Sequence, residues 1–266
     1  MQLFTLASGS TGNCTLVRDR DCSILIDMGI STKRLREALS ALGMSPDELS
    51  GILITHEHRD HICGLNTFVK KYEVPIFAPR TIANHLRRSI FEIEDFIAEL
   101  YIGHENSVGG FAVAPFRTPH DTPESVGYRI AGSSTLGFCT DCGHVSEEML
   151  EGLLGVENAV IEANHDVRML SDGAYPVYLK RRVLSNYGHL SNADSAKLAL
   201  QLVQNGTRNL ILAHLSRENN TPRLAYDTVS SALRREGFAI DDDVSLSVAP
   251  EARTAEHRTF ARCIND

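Results

Sequence analysis

The string Thr55-His56-Glu57-His58-Arg59-Asp60-His61 stands directly behind the apolar run at residues 51–54 and constrains this chain more than any other feature. A short apolar run bounded by turn signals reads as a buried strand, so three imidazoles and a carboxylate crowd the loop that leaves it. Imidazole and carboxylate suit zinc, manganese and iron, and four such groups in one short loop can wrap a pair of ions. The bland alternative, a solvated histidine-rich loop, leaves that crowding without a purpose.

The eleven histidines of the 266 residues matter because further ligand types close other predicted strands. β-rich runs at 3–6, 15–17 and 23–26 precede a helical pattern at 33–42 and the strand at 51–54. Helices are predicted at 62–72 and 81–88, a strand at 74–78 between them, and a mixed stretch at 91–102. Strands at 111–116, 126–130, 135–139 and 156–161 follow, then helices at 176–184 and 192–203, a strand at 209–213 and a helix at 222–236. This alternation argues an α/β protein with helices outside packed sheets. Residues 1–240 read as one domain, and 241–266 as a C-terminal appendage, packed on it or partly flexible. Asp27, His120, Asp141 and His214 each follow a predicted strand. Taken singly, each reads as well as a turn or capping residue. Taken together, they line the edge where the strands of a layered α/β fold end and where sites form.

Composition removes several classes. A formal charge of −8 argues against a uniformly basic nucleic-acid binder. The start MQLFTLASGSTGN lacks a basic, apolar leader pattern, and no segment approaches the roughly 18 apolar residues of a membrane span, so a cytoplasmic protein without a membrane partner is expected. In that compartment the six cysteines read as reduced thiols, Cys139-x-x-Cys142 included. Tryptophan is absent, which leaves stacking on bases to seven tyrosines and ten phenylalanines.

With Asp27, the H-x-H-x-D-H string, His120, Asp141 and His214 in this order and spacing, the sequence resembles a metallo-β-lactamase-fold hydrolase from residue 1 to about 240. The resemblance implies a four-layer αβ/βα sandwich with a two-metal centre at one edge. It implies His56, His58 and His120 on one divalent ion, Asp60, His61 and His214 on the other, Asp141 bridging them, and Asp27 behind the loop orienting it. The ions would be zinc or manganese, with iron also suited. Lactamase-type members carry cysteine at the fourth motif, whereas Asp141 here follows the phosphodiesterase-like pattern. Only 72 residues separate Asp141 from His214, which leaves no room for a β-CASP insertion. The phrases LASGSTGNC at the start, PHDTP at 119–123, EANHD at 162–166, GHLSN at 188–192 and AHLSRENN at 213–220 are similar to the YycJ/WalJ-type branch, whose members are regarded as 5′→3′ exonucleases acting on DNA.

That branch implies a phosphodiester cleaved by a metal-activated water, with DNA favoured over RNA as substrate; the oligomeric state stays open. Asp60, His189 and Glu162 are the candidate catalytic residues, with His189 as general acid and Glu162 orienting it, as a matching pair does in phosphodiesterase-like relatives. Otherwise His189 is a neighbour of a helix cap and Glu162 a buried hydrogen-bonded acid. Ser8, Ser10 and Asn13 lie in a glycine-rich turn that either offers N–H groups to substrate oxygens or is a plain tight turn. His165, Ser216, Arg217 and Asn219 are further candidates for substrate contact, with Arg217 favoured for a phosphate. The run Lys180-Arg181-Arg182 either concentrates positive charge beside the centre or is a solvated helix face. The rival readings are a small-molecule hydrolase of cyclic phosphodiesters, thioesters or lactones on the same centre, and a regulatory protein that keeps the fold.

Overall fold

The computed structural model describes residues 1–257 and packs two seven-stranded sheets against each other. β1 (Gln2–Ala7), β2 (Cys14–Asp19), β3 (Cys22–Ile26), β4 (Gly51–Leu53), β5 (Ile76–Pro79) and β6 (Ile97–Leu100) lie side by side in chain order in the first sheet. β7 (Asn106–Val108), β8 (Phe111–Arg117), β9 (Val126–Ala131), β10 (Thr135–Cys139), β11 (Asn158–Glu162) and β12 (Asn209–Ala213) do the same in the second. The antiparallel hairpins lie at one side of each sheet, and β3 to β6 and β10 to β12 run parallel.

Strand periodicity builds the layers. On β11 and β12, Val160 and Ile211 point into the core between the sheets, while Ala159, Ile161, Leu210 and Leu212 point the other way. Both faces are therefore apolar and both must be covered, as parallel strands require. Leu35 and Leu39 of α1 (Thr32–Ala41) and Ile82 and Leu86 of α4 (Arg80–Ser89) bury against the first sheet; between these helices lie the short α2 (Arg59–Ile62) and α3 (Leu65–Phe68). Met149 of α5 (Glu147–Leu153) covers the second sheet. After α6 (Val167–Asp172) and α7 (Val177–Val183), α8 (Asn192–Gln204) and α9 (Pro222–Arg235) complete that layer with Leu198, Leu202, Val229 and Leu233. The result is the four-layer αβ/βα sandwich. No helix among the described residues is long and apolar enough to cross a membrane.

Two expectations need correction, and two helices are additions to them. The segment after 240 is no appendage: β13 (Ser245–Val248) extends the second sheet in parallel with β12, and β14 (Ala255–His257) extends the first beside β1. His257 bridges the two sheets, with Nε2 2.8 Å from Thr5 Oγ1 and Nδ1 3.1 Å from Ser247 Oγ. The rest of that segment, 258–266, lies outside the described residues. The single helix predicted at 62–72 is instead α2 and α3, because Gly64 N–H donates to Met28 O (3.0 Å) and its backbone lies hard against the Ile30 carbonyl. The helices α5 and α6 escaped the sequence reading, although Ser146 and Asp166 cap them through their side chains.

Three segments are stitched together below the sheet edge. Asn13 N–H donates to Asp60 O, Gly29 N–H to Asn13 O and Met28 N–H to His61 O, each at 2.8 Å. A Cβ on Gly29 would sit 1.5 Å from the Asp60 carbonyl oxygen. Gly29→Ala is therefore expected to lower stability by about 3 kcal/mol, read as a fall in the denaturant midpoint at unchanged m-value. Metal affinity should fall with it, since the displaced segment carries Asp60.

Candidate metal centre

Six strands deliver the site. β3 leads to Asp27, β4 to His56, β8 to His120, β10 to Asp141 and β12 to His214, and β11 ends at Glu162. Asp27, Asp141 and His214 have φ of 61°, 57° and 57°, a left-handed conformation that costs a non-glycine residue on the order of 1 kcal/mol. Three such residues at three strand ends turn the chain sharply and leave their side chains on one edge.

The potential ligand atoms of His56, His58 and His120 lie within 4.8 Å of one another, and so do those of Asp60, His61 and His214. Asp141 stands between the triads: its Oδ2 is 3.4 Å from His61 Nε2, and its Oδ1 is 3.4 Å from His214 Nδ1 and 3.8 Å from His120 Nε2. On four of the five histidines the second ring nitrogen is tied back. His61 Nδ1 donates to Asp27 Oδ2 (2.7 Å), and His56 Nδ1 to Thr55 Oγ1 (3.1 Å), which passes its own proton to Asp27 Oδ2 (2.8 Å). His120 Nδ1 donates to Gly188 O (3.2 Å), and His214 Nδ1 to Glu162 Oε1 (2.8 Å). Such partners fix tautomer and ring orientation in metal sites.

The residues fit divalent metal ions on a direct test. His56 Nε2, His214 Nε2 and Asp141 Oδ2 are buried without a hydrogen-bond partner. Orphaned buried polar atoms are costly, and these three belong to the two triads and to the carboxylate between them. The charge balance agrees. Burial opposes a proton on His61, yet the Asp27 and Asp141 carboxylates outweigh it and hold the pKa at about 10. His214 is raised well above its usual value in the same way by Asp141, Asp60 and Glu162. Without metal, these imidazoliums neutralise the carboxylates. That stabilisation is fully present below pH 6.5, the unfolded value, and for His61 is lost as pH rises toward 10. Ions must displace the same protons to bind. Metal affinity is therefore expected to rise with pH between about 6.5 and 10, and the Tm gap between metal-loaded and stripped protein to widen; titration of chelator-stripped protein at several pH values checks both.

Glu162 holds more than one partner. Its Oε1 accepts from His189 Nδ1 (2.9 Å) as well as from His214 Nδ1, and its Oε2 accepts from the backbone N–H of Cys142 (3.1 Å) and Leu190 (2.9 Å). Burial would raise its pKa, but His189 and His214 hold it well below the usual range. In return His189 is held above its ordinary value, Glu162 and Asp141 overcoming the penalty of burial.

A cavity of about 230 Å³ opens over the centre, and Ser10, Ser216 and Asn219 line it along with His189. Four other sequence candidates are placed elsewhere. Ser8 is consumed in accepting the His214 N–H at 2.8 Å. Asn13 Nδ2 is spent on Asp60 Oδ2 (3.2 Å) and His61 Nε2 (3.0 Å), so it supports these two side chains rather than facing substrate. Arg217 turns outward to Glu251 at 3.1 Å. His165 is buried, forms a β-bridge with Ser191 and is not among the residues lining the cavity. The sequence reading overlooked Asp121, Tyr175 and Leu179, which line the cavity with Asn164 of the EANHD phrase, and it left Arg182 undecided. Arg182 comes from the basic run and pairs with Asp121, inside the PHDTP phrase.

A four-layer sandwich with this edge defines a metallo-β-lactamase-fold protein. Residues 23–215 match the model of the beta-lactamase superfamily domain, and the chain belongs to that family. It is a hydrolase of that fold, and its relatives narrow the branch. It is 37% identical over 241 residues to the exodeoxyribonuclease YycJ of Bacillus anthracis, covering 89% of this chain and 90% of that one. It is 32% identical over 254 residues to the exodeoxyribonuclease WalJ of Streptococcus pneumoniae, covering 94% of each. Among solved structures, the metallo-β-lactamase fold protein YhfI of Bacillus subtilis superposes with a TM-score of 0.71 at 15% identity, over 96% of this chain and 98% of that one, a likeness of fold alone.

Proposed function

We propose that this protein is a 5′→3′ exonuclease that hydrolyses phosphodiesters of DNA in preference to RNA. Two divalent ions, zinc or manganese with iron also suited, would be held by His56, His58 and His120 and by Asp60, His61 and His214, with Asp141 shared. The observation that carries the reading is the meeting of both triads and the His189–Glu162 pair on one cavity. The similarity to two named exodeoxyribonucleases over most of the chain supports the substrate class.

When bound, the ions supply Lewis acidity and lower the pKa of water. The chain's own groups do the rest. Glu162 fixes His189 through Nδ1 and favours its charged form, so Nε2 presents a proton to the cavity near neutral pH. As the P–O bond breaks, the leaving oxygen takes that proton, and solvent restores it. Ser10, Ser216 and Asn219 offer polar groups to the phosphate oxygens.

The small volume of the cavity favours a second reading, a hydrolase of cyclic phosphodiesters, thioesters or lactones. One experiment separates the two: product analysis on 5′- and 3′-labelled single- and double-stranded DNA and RNA with added manganese or zinc, beside bis(p-nitrophenyl) phosphate and a thioester. Mononucleotides released from the 5′ end of DNA support the exonuclease. Intact nucleic acids alongside turnover of a small ester overturn it.

A further inference from the structure

One wall of the cavity comes from a segment that the chemistry above leaves unused. Tyr175, Leu179, Arg182 and Val183 line the cavity from one side, and the same stretch continues outward as an exposed surface. Of the seven large apolar side chains exposed among the described residues, four (Val177, Tyr178, Leu184 and Tyr187) fall in this stretch. Exposed apolar side chains gathered in one place mark a binding surface. Residues 173–189 also carry three of the chain's seven tyrosines, the run Lys180-Arg181-Arg182, and no Asp or Glu, in a protein of formal charge −8.

Tyr178, Arg181 and Arg182 stand three and four positions apart on α7 and so share one face. Arg182 is engaged by Asp121 at the cavity rim, whereas Arg181 has no ion pair among the described residues. The backbone on either side of Tyr187 is held in place. Gly143 lies so close to the neighbouring Asn186 that a Cβ there would stand 2.3 Å from its carbonyl carbon, and His144 Nδ1 donates to Asn186 O (2.9 Å). The next residue, Gly188, accepts from His120. Tyr187 is thereby tied to the loops that carry Asp141 and His120.

Aromatic rings beside the unpaired Arg181, continuous with a site for a phosphodiester, match a strand whose bases are unpaired: each base has a face to stack, and each link a phosphate. We propose that the surface from Tyr175 to Tyr187 carries the strand being cut, with Tyr178 and Tyr187 stacking on unpaired bases and Arg181 holding a phosphate. This rests on the nuclease reading and sharpens it, because a duplex end must fray before its strand can cross the wall.

The test is binding of a fluorescent single-stranded oligonucleotide to the full chain in chelator, where no cleavage occurs. Tyr178→Ala/Tyr187→Ala is expected to weaken binding at least about 10-fold, and the Tyr→Phe pair, which keeps the rings, to restore it. Abasic sites in the oligonucleotide should weaken binding to the wild type and leave the alanine variant indifferent, which a merely misfolded wall would not produce. An alanine variant that binds as the wild type does, or one equally sensitive to abasic sites, overturns the proposal. So does light scattering that finds the wild type dimeric and the alanine variant monomeric, since a second copy would then cover this face. If wild-type protein cleaves small esters but no nucleic acid, it is the exonuclease reading that fails.

Discussion

Asp141→Ala is expected to strip the protein of bound metal and to lower turnover of any phosphodiester at least about 10³-fold, because several kcal/mol of charge stabilisation are lost together. Asp141 is a buried carboxylate 3.4 Å from ring nitrogens of His61 and His214 in one triad and 3.8 Å from His120 Nε2 in the other, so it stands between the two triads. Elemental analysis of metal per chain and turnover of bis(p-nitrophenyl) phosphate measure the two effects. A variant with full metal content and wild-type turnover would show that Asp141 is not shared between ions. Stripped protein should respond in the opposite sense at His61. With Asp141 removed, that imidazole loses one of the carboxylates holding its pKa up, and so its proton is released at lower pH.

The second large effect belongs to His189. His189→Gln is expected to retain metal and to lower kcat on DNA by about 10²- to 10⁴-fold, the usual reach of general acid catalysis. The signature lies in the leaving group. A deoxyribose alkoxide needs a proton as it departs and p-nitrophenolate does not, so the loss on bis(p-nitrophenyl) phosphate should be far smaller. The fall of kcat at alkaline pH should vanish in the variant as well. Equal losses on both substrates would remove His189 from the proton-donor role. Glu162→Gln should behave differently, lowering metal affinity along with kcat, because one oxygen of that carboxylate supports His189 and His214 together.

Much of the centre was legible along the chain because the two kinds of signal coincide there. Buried strands announce themselves by apolar runs, and His56, His58, Asp60, His61, His120, Asp141 and His214 are ligand types standing just after such runs. The loops gave less. Ser8, Asn13 and Arg217 looked available for substrate, yet each meets a partner distant in sequence: the His214 N–H, Asp60 with His61, and Glu251. A polar residue in a loop has many possible partners, and only the approach of another segment selects one. The strands β13 and β14 were hidden for a related reason. They are short, with two of four residues apolar in one and one of three in the other, and their pairing depends on edges already formed by β12 and β1.

The sequence by itself determined the α/β layering and the residue types available at the strand ends, because apolar period and side-chain chemistry are local properties. Only the tertiary structure decided that these ends meet at one edge, that Asp27, Asp141 and His214 take left-handed turns there, that Glu162 serves two imidazoles, and that the tyrosine-bearing wall stands beside them. The physical reason is that orientation and charge arise from contacts between segments far apart in the chain. The same imidazole is a solvated side chain or a candidate ligand according to the carboxylate that folding places behind it.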